Sequence, residues 1–119
     1  FGLLGHLAEM VCGSGAGVRV DSGRVPVIAE ALEFAAMGLI PAGAHHNRQF
    51  RESMITVSDN VKRALADVLF DPQTSGGLLI SVRTDQADAL AAALLEAGND
   101  DATQIGEVMP GPAERIIVV

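Results

Sequence analysis

The chain has 119 residues, 49% of them hydrophobic, with no Trp, no Tyr, four Phe and a formal net charge of −7. That length suits one domain with its own core, and the missing aromatics make that core aliphatic. The eight Lys and Arg residues are scattered without a basic stripe, which argues against a nucleic-acid partner, and no apolar run nears the roughly 20 residues of a membrane span.

Leu3, Leu7, Met10 and Val11 share a helical stripe, widened by Leu4 and Ala8, and the glycines of GSGAG end it. Val18 to Asp21 alternates as a short strand. Ile28, Ala31, Leu32 and Ala35 return to helical spacing, with Pro26 suited to the start and Gly38 to the end. Residues 39–57 show no period around Pro41 and Gly43 and read as a long loop, with a possible short strand over Met54–Val57. Val61, Ala64, Leu65 and Val68 predict a helix capped by Ser58 or Asp59. The run Leu78–Val82 is apolar on both faces, as in a strand covered on both sides. Thr84 is placed to cap a helix with the stripe Ala87, Leu90, Ala91, Leu94 and Leu95, ended by Gly98-Asn99. Gln104–Val108 and Arg115–Val119 predict two strands joined by MPGPAE. A helical crossover from Leu78–Val82 to Gln104–Val108 allows parallel pairing, and the final two strands are close enough for an antiparallel hairpin. The expectation is an α+β domain over residues 1–119, with helices packed on a mixed sheet.

Two stretches are glycine-rich and rich in hydrogen-bonding groups. Gly2 and Gly5 lie in the first turn of a helix, where free N–H groups and the dipole favour an anion, with His6 one turn in. The competing reading is close packing at Gly5 and a packed or capping His6. In DPQTSGG, Gln73, Thr74 and Ser75 supply polar side chains, and Gly76 and Gly77 free backbone N–H groups to face a ligand. A strand crossing near another backbone explains the same glycines. The stretch lacks the spacing and lysine of a P-loop. His45 and His46 are adjacent, with no acidic or Cys partner at ligand spacing, and read as a solvated pair. Cys12 is the single cysteine, which excludes an intrachain disulfide and fits a reducing cytoplasm. Near a helix C-terminus its thiolate is disfavoured, so it reads as a small buried hydrophobe.

FGLLGHLAEM at residues 1–10 and DPQTSGGLLI at 71–80 together resemble the C-terminal domain of the selenophosphate synthetases (selenide, water dikinases). VPVIAEALEFAAMGLIPAG, the following Asn47 and the closing IGEVMPGPAERIIVV look like further segments of that family. The resemblance implies a two-domain enzyme of the aminoimidazole ribonucleotide synthetase superfamily, with a three-layer α/β/α, partly ferredoxin-like C-terminal domain. It implies that ATP, selenide and water are converted to selenophosphate, AMP and orthophosphate, with Mg²⁺ clamping the phosphates. The family's reactive Cys or selenocysteine, its neighbouring Lys and most metal-binding Asp residues lie in the N-terminal domain. No catalytic or metal-binding residue therefore carries over to this chain, and no cofactor is expected on its residues alone. What carries over is a cleft lining: Gly2, Gly5, His6, Gln73, Thr74, Ser75, Gly76 and Gly77.

Phe1 opens in a helical pattern without an initiator Met, so a fragment of a longer chain is expected, inactive alone. Its partner would be its own N-terminal ATP-binding domain, in a cytoplasmic homodimer. Sibling enzymes of the thiamine-monophosphate kinase or hydrogenase maturation dehydratase type are the nearest alternatives. A stand-alone ligand-binding module is the alternative of another class.

Overall fold

A computed structural model describes residues 1–73 and 76–119. In chain order these form α1 (Gly2–Val11), β1 (Gly17–Val20), α2 (Ala29–Ala36), α3 (Ala42–Arg51), β2 (Ile55–Val57), α4 (Arg63–Val68), α5 (Thr84–Glu96), β3 (Gly106–Met109) and β4 (Ile116–Val118), with 3₁₀ turns after β1 and α3. The class is α+β, around a mixed four-stranded sheet ordered β2-β4-β1-β3. β1 pairs antiparallel with β3 and parallel with β4, and β2 pairs parallel with β4.

Alternation along β1 and β4 sets the core. Val18, Val20, Ile116 and Val118 are buried on one face, against Leu4, Leu7, Ala8 and Val11 of α1 and Leu69 and Phe70 after α4. On the opposite face Arg19, Thr56 and Glu107 are exposed, and Arg19 lies 3.7 Å from Glu107 across the β1–β3 ladder. α1 is rotated slightly from its expected stripe. Leu4 and Ala8 are fully buried at its centre, while Leu3 sits at the margin and Met10 is exposed. Cys12, expected inside, is exposed, because Val11 takes the last inward position of the stripe and Cys12 falls one step beyond it.

Several expectations are corrected. The loop over residues 39–57 contains a ten-residue helix, α3, in which only Ala44 is buried. Its inward positions are otherwise small or polar (Gly43, Asn47, Arg48, Arg51), so the helical period carries almost no hydropathy. α4 starts after Lys62, and α5 starts at Thr84 with Arg83 as the N-cap; neither has a side-chain cap from Ser58, Asp59 or Thr84. Instead Arg83 grips Asp85 of the first turn of α5 through two contacts, at 3.0 and 2.6 Å. α2 begins at Ala29, with Pro26 three residues earlier.

The largest correction concerns Leu78–Val82, which joins no ladder of the sheet. Leu78, Ile80 and Val82 are 91%, 48% and 41% exposed, and only Leu79 turns toward the core. The expected crossover to Gln104–Val108 is therefore absent, and α5, with no strand beneath it, buries no residue fully. The final two strands do not form a hairpin with each other either. β1 lies between them, so the MPGPAE connection steps across one strand. An apolar run marks a segment as suited to a strand but does not name its partner.

Candidate functional site

The two glycine-rich stretches meet at Phe70. After α4 ends, the Leu69 carbonyl accepts a hydrogen bond from the Leu4 N–H at 3.1 Å. A carbonyl left over at one helix end thus satisfies an amide left over at the start of another. Gly2 is buried with φ +72°, and a Cβ there would stand 2.6 Å from the Phe70 carbonyl carbon. The backbone that approaches Gly2 is the protein's own, so Gly2 is required by the crossing of α1 over the start of DPQTSGG. Gly5 faces the Phe1 side chain, where an added Cβ would lie 2.5 Å from the Phe1 Cβ.

α3 holds the same junction from another side. Asn47 Nδ2 donates to the Phe70 carbonyl at 2.9 Å. The Arg48 guanidinium lies over the Phe70 ring, 5.1 Å from its centroid, and its Nη2 is 2.7 Å from the buried Asp67 Oδ1. This is a close ion pair whose angle falls outside hydrogen-bond geometry. Arg63 reaches the other Asp67 oxygen at 3.6 Å, and Arg51 links α3 to Glu9 of α1 at 3.6 Å. Gly43 leaves room for Pro72, whose Cγ would be 2.9 Å from a Cβ at that position.

Beyond this anchor the chain opens to solvent. Gln73, Gly76 and Gly77 are exposed. The Gln73 side chain folds back toward Gly76, and Gly77 has open space where a side chain would be. Thr74 and Ser75 lie outside the described residues. His6 is exposed, 3.3 Å from Glu9 Oε2 and edge-on to the Phe1 ring at 5.7 Å. An open depression of about 610 Å³ adjoins the junction, lined by Phe1, His46, Asn47, Gln49 and Phe50. His45 and His46 are both exposed on α3. Among the described residues no group of three or more His, Cys, Asp or Glu side chains is placed to hold a metal. Likewise, no helix among them is long and apolar enough to cross a membrane.

Sequence reasoning singled out the loop and the α1 opening but missed the residues that join them. Gly43 entered only as a mark of a loop, Asn47 only as part of a resemblance, and Arg48 and Asp67 were given no part in a site. The usable signal was the spacing of Gly43, Asn47, Arg48 and Arg51, which is helical but polar.

The family model described as AIR synthase related protein, C-terminal domain, matches residues 1–119. The chain belongs to this family. It is 54% identical over 118 residues, or 99% of its length, to a protein named selenide, water dikinase from Pelobacter propionicus. It is 43% identical over its whole length to selenide, water dikinase 2 of Peptoclostridium acidaminophilum, and 42% identical to a selenide, water dikinase of Clostridioides difficile. The chain spans about a third of the length of each of these relatives (34%).

Proposed function

We propose that this chain is the C-terminal domain of a selenide, water dikinase, an enzyme that makes selenophosphate, AMP and orthophosphate from selenide, ATP and water. The observation that carries the reading is 54% identity across 99% of the chain with a relative of that name. Two further relatives bear the same name, which favours this reading over the sibling kinase and dehydratase. ATP and Mg²⁺ belong, on this reading, to the whole enzyme, with the metal-binding carboxylates and the nucleophile on an N-terminal domain. The enzyme is then a cytoplasmic homodimer in which the present domain closes one side of the cleft.

That side is built from the exposed His6 at the α1 opening, with the buried Gly2 and Gly5 letting the chain pack closely behind it, and from the loop Gln73, Thr74, Ser75, Gly76 and Gly77. Support comes from the Phe70 junction, which puts the root of the loop against the first turn of α1, and from the exposure of Gly76 and Gly77. Glycine amides facing open space can serve phosphate oxygens without a side chain in the way. Phosphoryl transfer needs mainly such positioning and charge stabilisation.

The test uses the full-length polypeptide carrying this domain, assayed for selenide-dependent AMP formation. Thr74→Ala with Ser75→Ala is expected to raise the KM for ATP while leaving the thermal midpoint in place. An unchanged KM sinks the cleft assignment, and ATP turnover that ignores selenide sinks the enzyme assignment.

A further inference from the structure

We propose that Asn47 is a positioning residue, acting through the Phe70 carbonyl to aim the loop at 73–77; the proposal rests on the cleft reading above. Asn47 is half-buried on α3 and donates from Nδ2 to the Phe70 carbonyl at 2.9 Å. Phe70 is where the packed core stops. The residue is 2% exposed, whereas two residues later Pro72 is exposed. Past this point the backbone bonds are local, from Asp71 N–H to the Val68 carbonyl and from Gln73 N–H to the Asp71 carbonyl. Among the described residues no backbone hydrogen bond ties residues 76–82 to another element. Among the described residues the Asn47 amide is therefore the last side-chain hydrogen bond that a distant element makes to the chain leading into the loop.

Other contacts already hold the three helices together. Leu4 N–H bonds the Leu69 carbonyl, Arg48 pairs with Asp67, and Arg51 reaches Glu9. None of these acts on the Phe70 carbonyl, whose orientation sets the direction of the next peptide. Removing the Asn47 donor spares the core and releases the loop. Gly43, one turn earlier on the same helix, leaves room for Pro72, so α3 guides both residues that precede Gln73's immediate neighbourhood.

The experiment compares the full-length enzyme with Asn47→Asp, which keeps the shape but turns an acceptor toward an acceptor, and with Asn47→Ala. Gln73→Ala serves as the reference for loss of a loop group. The readouts are kcat and KM for ATP at a temperature well below unfolding, and the thermal midpoint. Both Asn47 variants are expected to lower kcat/KM for ATP by about ten- to hundredfold, as misplacement of binding groups by about an ångström does, with a midpoint close to that of the parent. If Gln73→Ala lowers kcat/KM and the Asn47 variants do not, the positioning role is overturned and the cleft reading stands. If neither position matters, the cleft reading fails and takes this proposal with it. A lowered midpoint with unchanged kcat/KM marks Asn47 as structural and also overturns the proposal. Should Asn47→Asp not fold, Asn47→Gln, which keeps the amide but moves it by one methylene, is read by the same criteria.

Discussion

Gly2 and Gly13 share the same left-handed backbone, at φ +72° and +73°, but only Gly2 has another backbone against it. A Cβ at Gly13 meets open space, so Gly13→Ala should cost only the conformational term of about 1–2 kcal/mol. Gly2→Ala adds overlap with Phe70 and should cost clearly more. Urea denaturation of the two variants measures the difference, and equal losses would remove the close crossing from the account of Gly2. Asp67 is the other residue with a large predicted effect. It is buried between Arg48 and Arg63, and Asp67→Ala leaves Arg48 facing an emptied site. Removing one member of a buried pair costs about 3–5 kcal/mol. Since Arg48 remains about a third exposed, with 32% of its side chain accessible, we expect the lower end, near 3 kcal/mol. A loss below about 1 kcal/mol, the range of surface ion pairs, would mean that water relieves Arg48 without help.

Among the elements, α1 and the segment Leu78–Val82 look equally apolar in one dimension and behave oppositely in three. Leu4 is fully buried where α1 meets the sheet, so Leu4→Ala should destabilise the isolated chain by about 2–5 kcal/mol. Ile80 is 48% exposed and unpaired, so Ile80→Ala should fall within about 0.5 kcal/mol, as surface changes do. A large loss at Ile80, measured in the same denaturation series, would show that this segment is part of the sheet in solution. α5 follows the same logic. Its stripe is correctly spaced, but Ala87, Leu90, Ala91 and Leu94 reach only half-burial, since a helix can bury a face only against a surface that is present.

For the whole molecule, the accessible surface is 7626 Å² at 12.3 kDa, against about 6,100 Å² for a compact monomer of that mass. The radius of gyration is 14.3 Å, slightly above the roughly 13.5 Å of a compact domain of this length. The excess fits the uncovered Leu78, Ile80 and Val82 and the apolar residues Ile28, Phe34, Met37 and Leu39 around α2, all exposed. On the function proposed above, the chain alone should form no AMP from ATP and selenide, because the nucleophile and metal carboxylates are assigned to another domain. AMP production by the purified chain at a rate near that of the full-length enzyme would refute that division of labour.

Local pattern was enough for β1, the core of α1, the α4 and α5 helices and the final strands, because a burial period of two or of 3.6 is written in the order of apolar residues. It was also enough to single out residues 71–77, where glycines and amides crowd together. It could not place α3, whose inward face is Gly43, Asn47, Arg48 and Arg51 rather than leucines. Nor could it tell that Leu78–Val82 would lack a partner, or that β1 would separate β3 from β4. Strand pairing and the grip of α3 on Phe70 join residues far apart in the chain: Asn47 with Phe70, Val18 with Ile116, Leu4 with Leu69. Such contacts depend on which surfaces remain free once the core has closed, and that choice is made by the folded chain as a whole.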